Sequence, residues 1–534
     1  MPDNSIHKPV FRFLASVLVL ALAACSSGQP PLPTKEMYPF HPGDFDPSIR
    51  PVETFIEQAE PTLPITEDNV LEISIEQAIV AALNNNRDLR VQRLGPVIAG
   101  TFEQIERGIF DPEVYAEYSY FEEESIETSR STGTQFSVIG EETEAVAGLR
   151  QFVATGTQID LNVTQSGSES NRAPEQQTAR AGLTITQSLL RGFGPAVNLA
   201  RVRQQEFATK ASRDQFRGYA ETVLAETEIA YWNHVLAHEE IRIFKESLDV
   251  ARQQLSEIEL RIEVGILPEI ELAAARTEEA LRVQALIDAR SLLEESRLRL
   301  LRLLSPGGEK HFDLDVITTS EFRLSTEPLD DLEERLFLAV KLRPDLQEAR
   351  LRLQQERLET VITRNGLLPR LDLFINYGKT GYADSFSNSF RELDQDNYDL
   401  TAGLRLNHFL GNRAARARNE AAFASRQQAA EAVANLQQLV KLDVRLAFNE
   451  LERARQQIDA TRKTRKLQEQ TLNAEKERFG VGASTALQVA QVQRDYLQTQ
   501  IAEVEAMVHY RIALVRLYLA EGSLLDRRGI TVGR

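Results

Sequence analysis

The sequence is poor in the residue types that carry most catalytic and metal chemistry. Its 534 residues include one cysteine, three methionines, one tryptophan and seven histidines. A single cysteine excludes a disulfide framework and a thiolate metal cluster. Basic residues number 61 against 79 acidic ones, and the net charge of -18 gives no electrostatic footprint for nucleic acid. We therefore expect no nucleic-acid partner.

Long apolar runs are equally scarce. The only one covers residues 13–24 and is too short to cross about 30 Å of hydrocarbon as a helix. It predicts a signal peptide over residues 1–24. The sequence Leu22-Ala23-Ala24-Cys25 resembles a bacterial lipobox, which implies that Cys25 carries lipid, including palmitate, and Ser26 resembles the next residue of outer-membrane lipoproteins. An incidental cysteine after an ordinary secretory peptide is the alternative.

Proline is concentrated in one segment. Residues 26–64 hold nine of the 20 prolines and show no apolar periodicity. Such a segment is extended and forms no core of its own. We predict a lipidated tether over residues 25–64.

The rest of the chain contains two copies of one unit. At an offset of 257 residues Asp88-Leu89 recurs as Asp345-Leu346, and at an offset of 217 residues Val264-Gly265 recurs as Val481-Gly482. The offset shrinks because the first copy has the longer middle part. The predicted division is repeat 1 over 65–310, a linker over 311–328, repeat 2 over 329–522 and a tail over 523–534.

Each copy follows the same order of elements. Apolar spacings of three and four predict first helices over 74–107 and 329–364, long helices over 196–263 and 412–480, and returning helices over 269–304 and 484–520. The long helices have about 68 residues and a length of roughly 100 Å, about twice that of the others. Two stacked shorter helices therefore match one long helix, and glycine-containing turns close the far end.

Strands precede each long helix. In repeat 2, alternation over 371–377 and 398–407 places Leu, Ile and Tyr on one face and mostly Asp, Asn, Thr and Arg on the other. This alternation is typical of a wall with lipid on one side and water on the other, although a soluble sandwich is the alternative. An open edge is not stable in lipid, so the sheet must close, and several chains must contribute. Six aromatic residues could form its interfacial girdles: Tyr115, Tyr118, Tyr120, Phe374, Tyr377 and Tyr398.

These features together resemble the TolC-type outer-membrane efflux proteins over about residues 70–520. The resemblance also rests on the stretches Gln187-Ser188-Leu189-Leu190-Arg191-Gly192-Phe193-Gly194 and Arg478-Phe479-Gly480-Val481-Gly482-Ala483-Ser484. It implies a mainly α fold with membrane β, in which a duplicated helix-strand-strand-helix unit forms a trimeric β-barrel continuous with a long periplasmic α-helical coiled-coil barrel. It further implies a homotrimer with twelve barrel strands, a periplasmic adaptor protein, an inner-membrane pump and attachment to outer-membrane lipid.

The resemblance also implies positions for the functional residues. The adaptor-docking tips match Val264, Gly265 and Ile266 in repeat 1 and Val481, Gly482 and Ala483 in repeat 2. The pore constriction follows the second tip, where Gln488 and Gln491 stand in place of the aspartates that are frequent in the family. Glu271, the counterpart of Gln488, either supplies the missing charge or is an ordinary glutamate in a first helical turn.

Repeat 1 departs from this pattern in its strands. Four strand-like segments occur there, over about 114–121, 145–153, 157–165 and 180–188, where the family default is two. Three explanations are open. The extra pair is an extended hairpin outside the membrane, or two long strands have been counted as four segments, or the barrel is wider.

No combination of residues in the sequence matches a catalytic site. His234 and His238 are four residues apart on a helix, but no third strong ligand accompanies them, so we expect ordinary helix histidines, no metal and no cofactor. The predicted function is a passive exit duct in the outer membrane for a tripartite efflux or type I secretion system. The alternative is a lipid-anchored periplasmic coiled-coil tether, which leaves the amphipathic strands unexplained.

Overall fold

Long helices and one wide antiparallel sheet make up residues 69–305, 311–320 and 331–530, the part of the chain that the computed structural model describes. The described residues up to Arg528 form one compact unit. The predicted signal peptide, Cys25 and the tether lie outside the described residues.

The helices follow the predicted duplication. In repeat 1 they are α1 (Ile75–Asn85), α2 (Arg87–Arg107), α3 (Pro195–Asn198), α4 (Ala200–Glu263) and α5 (Ile270–Leu304). In repeat 2 they are α6 (Leu332–Leu342), α7 (Pro344–Gly366), α8 (Phe386–Arg391), α9 (Arg413–Gly480) and α10 (Ala486–Glu521). A further helix, α11 (Leu524–Arg527), lies in the predicted tail. The predicted long and returning helices are confirmed. Among the described residues, no helix combines the length and hydrophobicity needed to cross a bilayer.

Within the described residues, eight strands form two sheets. The six-stranded sheet has the order β2-β3-β4-β5-β7-β8, and all its neighbours are antiparallel. Its strands are β2 (Glu113–Thr128), β3 (Gln135–Val153), β4 (Thr157–Ser170), β5 (Ala173–Ser188), β7 (Arg370–Ala383) and β8 (Tyr398–Asn407). A small parallel sheet joins β1 (Val70–Ile73) to β6 (Asp315–Thr318), so part of the predicted linker pairs with the start of repeat 1. The sequence patterns did not predict this small sheet.

The prediction of one continuous first helix in each repeat is wrong at a single place. Helix α1 ends before Asn86, whose side chain accepts a hydrogen bond from the Leu89 amide and so starts α2. Helix α6 ends before Arg343, because Pro344 disfavours helical geometry in the residue before it. Both residues have ψ near 120°, and they are related by the offset of 257. The break is therefore a feature of the repeated unit.

Each repeat has its own apolar core where the shorter helices meet a long one. In repeat 1, Tyr231 of α4 is fully buried among β1, α1, the end of α5 and β6, and its hydroxyl donates to the Ile73 carbonyl at 3.2 Å. In repeat 2, Val440, Val444 and Leu451 of α9 are fully buried against α6 and α10. These cores fix each long helix relative to the shorter helices that pack on it.

Helices lie four abreast at two levels. Next to the sheet, neighbouring helices contact in the order α2-α4-α7-α9. Towards the turns, α5 and α10 contact α4, and α10 also contacts α9. The two long helices α4 and α9 run through both levels, as the predicted stacking of two short helices beside one long helix requires.

Buried charges accompany these cores. The Arg528 guanidinium donates to both oxygens of the fully buried Glu228 at 2.7 and 2.6 Å, and Arg335 is paired with buried Glu521. Glu221 of α4 is also buried, but its carboxylate lies 3.7 Å from Arg217, which is itself bonded to Asp526 at 2.9 Å. Burial raises the pKa of Glu221 to about 7, against the opposing effect of Arg217.

Replacing Glu221 by glutamine is expected to stabilise the protein more at pH 8 than at pH 5. The folded chain retains a proton on Glu221 between about pH 4.5 and about pH 7, where an unfolded chain has lost it, so stability falls as the pH rises through this window. We expect glutamine to remove a loss of roughly 1–3 kcal/mol. The measurement is the midpoint of heat-induced unfolding in detergent at both pH values.

The matched control is Glu226→Gln, because Glu226 is exposed on the same helix. It should leave the pH dependence of the midpoint unchanged. An equal effect of Glu221→Gln at both pH values would contradict the assignment.

Candidate functional site

The six-stranded sheet has two chemically different faces. One row of directly opposed residues crosses all six strands with only apolar side chains: Val114, Leu149, Leu161, Leu183, Tyr377 and Leu400. The adjacent row points to the other face and is wholly polar: Glu113, Arg150, Asp160, Thr184, Asn376 and Thr401. The predicted alternation is confirmed in both repeats, including all four strands of repeat 1.

Helix α8 packs on one part of the apolar face, where the Ser389 hydroxyl donates to Gln165 of β4 at 3.2 Å and Ala179 is buried. Beyond this helix the face is exposed. Val114 is 81% exposed and Leu400 is 62% exposed, and exposure continues along β8 at Leu404 and Leu406. A soluble sandwich would cover such a face with a second layer. Outside the area under α8, the apolar side of the sheet therefore calls for an apolar environment that the described part of the chain does not supply.

Ion pairs and hydrogen bonds run across the polar face. Asp160 accepts from the Tyr115 hydroxyl at 2.9 Å and from Arg150 at 3.0 Å, which ties β2, β3 and β4 together. Arg180 of β5 donates to Asp399 at 2.7 Å and to Asn376 at 2.9 Å, which ties β5 to β7 and β8. Sequence patterns missed these cross-strand groups because they depend on the register of the strands. A charged, hydrogen-bonded face of this kind suits contact with water.

Two aromatic residues predicted as girdle residues belong to this polar face. The Tyr115 ring lies over Gly148, its direct partner on β3, and the Phe374 ring lies over Gly403, its partner on β8. Arg150 and Arg405 stack on these rings, at 4.8 and 5.3 Å from the ring centres. The girdle prediction is therefore wrong for Tyr115 and Phe374. Tyr118, Tyr120, Tyr377 and Tyr398 share the apolar face.

Glycines fix the passage from sheet to long helix. Gly192 and Gly194 have φ of +86° and +91°, which other residues rarely adopt. Gly156, in the turn between β3 and β4, has φ of +87°, and a Cβ there would lie 2.2 Å from the Gly192 carbonyl oxygen. The Gly194 amide donates to the Thr155 carbonyl at 3.0 Å. The β3–β4 turn is thus held against the entry to α3 and α4.

The far ends of the long helices carry the predicted tips. Gly265 and Gly482 have φ of +76° and +77°, and each turn ends with the same 2.8 Å backbone bond, from Ile266 to the Arg261 carbonyl and from Ala483 to the Arg478 carbonyl. Val264, Ile266 and Val481 are 67%, 69% and 81% exposed. The two tips therefore present apolar side chains to their surroundings with closely matched backbones.

The predicted constriction residues lie just beyond the second tip. Gln488 and Gln491 are exposed in the first turns of α10, and the Gln488 amide donates to Thr485, which caps the helix. Glu271 lies on α5 of the other repeat, where it accepts a hydrogen bond from the Ala486 amide at 3.0 Å. The structure thus brings Glu271 to the start of the helix that bears both glutamines. There it accepts a hydrogen bond from an amide that has no partner within the helix, and its negative charge is stabilised by the positive end of the helix dipole.

His234 is a buried helix residue. Its Nδ1 lies 2.9 Å from the Ser296 hydroxyl and its Nε2 lies 3.2 Å from the Val316 carbonyl oxygen. Both ring nitrogens are thereby engaged by protein groups. No group of His, Cys, Asp and Glu side chains suited to a metal occurs within residues 69–305, 311–320 and 331–530.

Solved outer membrane channels have the same fold. OprN matches with 16% identity and a TM-score of 0.63 over 84% of this chain and 90% of that one. CmeC of Campylobacter jejuni matches with 16% identity and a TM-score of 0.63 over 84% and 86%. The open state of MtrE of Neisseria gonorrhoeae matches with 18% identity and a TM-score of 0.59 over 86% and 91%. The fold is thus that of outer membrane channel subunits.

The sequence places the chain in a family. The profile of the outer membrane efflux protein family matches residues 156–305 and 337–523, so the chain belongs to this family and the predicted resemblance is confirmed. The chain is also 25% identical over 315 residues to the pyoverdine export outer membrane protein OpmQ of Pseudomonas putida. That match covers 56% of this chain and 62% of OpmQ, which is less than two thirds of its length.

Replacing Glu271 by alanine is expected to loosen the second tip. The Ala486 amide loses its partner, and a hydrogen bond worth about 1 kcal/mol corresponds to roughly fivefold faster local exchange. Hydrogen-deuterium exchange of peptides over 480–490 measures this change. Glu269→Ala is the control, since Glu269 makes no side-chain cap bond. Unchanged exchange in Glu271→Ala would contradict a role for this carboxylate in holding the tip.

Proposed function

We propose that this protein is the exit duct of a tripartite efflux or type I secretion system in the outer membrane. Three copies form a channel that conducts substrates passively, with the sheet in the membrane and the helices reaching through the periplasm. A periplasmic adaptor and an inner-membrane pump supply the substrate and the energy. The chain itself carries out no chemical reaction.

The observation that carries this proposal is the two-faced sheet. Its exposed apolar face suits hydrocarbon and its charged opposite face suits water, which is the arrangement of a transmembrane β wall. The strands have 10 to 19 residues, and about 9–11 tilted residues span a bilayer. A periplasmic tether has no use for such a sheet, so the alternative is disfavoured.

Exposed apolar side chains on the flanking helices support a ring of copies. In the row α2-α4-α7-α9, the outer members are α2 and α9. Helix α2 exposes a stripe with spacings of three and four: Val91, Leu94, Ile98, Phe102 and Ile105. Helix α9 exposes Leu439, Leu442 and Leu446 at the same spacings. Contact between α2 of one copy and α9 of the next is a head-to-tail interface that closes into a ring.

The tips are the proposed adaptor-docking sites. Their exposed residues, Val264, Ile266 and Val481, offer apolar contacts on paired turns of the same geometry. Gln488 and Gln491, one helical turn inside, are the proposed lining of the constriction. Glu271 contributes to it as the group that positions the start of α10. Lipid on Cys25 would add an anchor in the outer membrane.

Single-channel recording in planar bilayers tests the duct. The purified trimer should give discrete channels, and Gln488→Asp with Gln491→Asp should increase cation selectivity and block by divalent cations, because carboxylate rings attract cations. The matched control, Gln488→Asn with Gln491→Asn, shortens the side chains without adding charge. It should conduct as the native protein does.

A trimer that passes no current, even after its tips are removed at Gly265 and Gly482, would overturn the duct. A normal channel that is insensitive to both aspartates would overturn only the assignment of the constriction.

Cys25→Ser is expected to abolish incorporation of radiolabelled palmitate, because a hydroxyl does not replace the thiol in the lipidation reaction. The measurement is labelling of cells followed by purification of the protein. Ser26→Ala keeps the cysteine and should remain labelled. Label retained in Cys25→Ser would contradict lipidation at this position.

A further inference from the structure

The resemblance to the family leaves one feature of the sheet unexplained, namely the extra pair of strands in repeat 1. We propose that all six strands of each chain belong to the membrane wall, so that three copies close an eighteen-stranded barrel in which β8 of one copy pairs with β2 of the next. This inference rests on the proposed trimeric duct and replaces the twelve strands that the resemblance implied.

The extra strands occupy the same level as the others. Strands β2 and β3 have 16 and 19 residues, β4 and β5 have 14 and 16, and β7 has 14. The turn between β3 and β4 lies at the helix end of the sheet, because Ala154 and Thr155 accept hydrogen bonds from Asn198 and Gly194 at the entry to the long helix. A hairpin that projected beyond the membrane would instead begin at the opposite end of the sheet, away from the helices.

The chemistry of the two faces also extends over the extra strands. Val114 and Leu149 continue the apolar row of the other four strands. On the opposite face, the Tyr115 and Arg150 side chains bond Asp160, so β2 and β3 line the same polar surface as β4. Strands outside lipid need no exposed apolar row, and Val114 is the most exposed member of this one.

Both edges of the sheet suit pairing with a second copy. Strands alternate in direction across the sheet, and with six strands β2 and β8 run in opposite directions. Joining β8 to β2 of the next copy therefore continues the antiparallel pattern without interruption. Within the described residues neither outer edge pairs with another strand, and backbone groups in lipid require such partners.

The stagger of the strands is compatible with closure. The row through Glu113, the first residue of β2, reaches Thr401 on β8, and β8 continues six residues further, to Asn407. The helix-side ends are thus offset by six residues over six strands. An offset of one residue per strand corresponds to a tilt of about 35°, within the range of closed barrels.

The width of the sheet also matches that of the helices below it. Six strands tilted by about 35° occupy an arc of about 35 Å, and four helices side by side occupy about 36 Å. Three copies then give circumferences of about 105 Å and about 108 Å. A wall of twelve strands would reach the same circumference only at a steeper tilt than this stagger gives. With eighteen strands, the barrel is as wide as the helical tunnel.

Disulfide cross-linking tests the new strand pairing. With the helix-side ends level, Ser119 of β2 opposes Thr401 of β8 in the neighbouring copy, and both side chains belong to the polar face. Opposed residues have Cβ atoms close enough for a disulfide. Ser119→Cys with Thr401→Cys, and Phe121→Cys with Asp399→Cys in the adjacent row of the same face, should yield covalent trimers on oxidation in membranes. Each single-cysteine variant should give at least about tenfold less cross-linked product, since its thiol has no opposed partner.

The matched alternative is Thr164→Cys with Thr401→Cys. It joins β8 to β4 of the next copy, as a wall of β4, β5, β7 and β8 alone would require. Cross-linking of this pair, with none from Ser119, would overturn the eighteen-stranded barrel and leave the trimeric duct intact. Absence of trimers, or of the protein from the outer membrane, in the unmodified chain would overturn the duct itself.

Discussion

Every peptide group that enters hydrocarbon needs a hydrogen-bond partner within the protein, because an unpaired group costs several kcal/mol there. This constraint governs the whole molecule. Within the described residues both edges of the six-stranded sheet lack a strand partner, so the sheet can enter lipid only when another copy covers those edges. Four helices of each chain contact one another side by side next to the sheet, so in the proposed trimer a ring of sheets continues into a ring of helices.

The duplication explains how one chain builds both the sheet and the helical part. Each repeat supplies strands, a long helix and a glycine turn, and each breaks its first helix at the same place, Asn86 or Arg343. The repeats differ where they have separate tasks. Repeat 1 adds two strands to the sheet, and its Glu271 holds the start of α10 in repeat 2, whereas Gln488, the counterpart of Glu271, is exposed.

Much of this architecture could be predicted from periodicity, and the reasons for the exceptions are physical. Long helices and amphipathic strands can be recognised in the sequence because apolar residues recur with a period of 3.6 in a helix and of two in a strand. The break at Asn86 is hidden, since apolar spacing continues across it and only the cap geometry marks it. Tyr115 and Phe374 are assigned to the wrong face because an aromatic ring also suits a polar face when a glycine lies opposite, and that partner depends on the register.

The sheet and the tips differ in how firmly they are held. The sheet is held by a continuous ladder of backbone bonds and by cross-strand ion pairs, so its width is set when the strands pair. The tips are held by less: a small cluster around Ile258, Ala275 and Ala486, the Arg261 guanidinium over the Phe479 ring at 5.4 Å, and the Glu271 bond. Contacts that are few and local open more readily than a ladder shared by six strands. Movement of the duct should therefore concentrate at the tips, where the proposed adaptor contact with the exposed valine and isoleucine side chains lies.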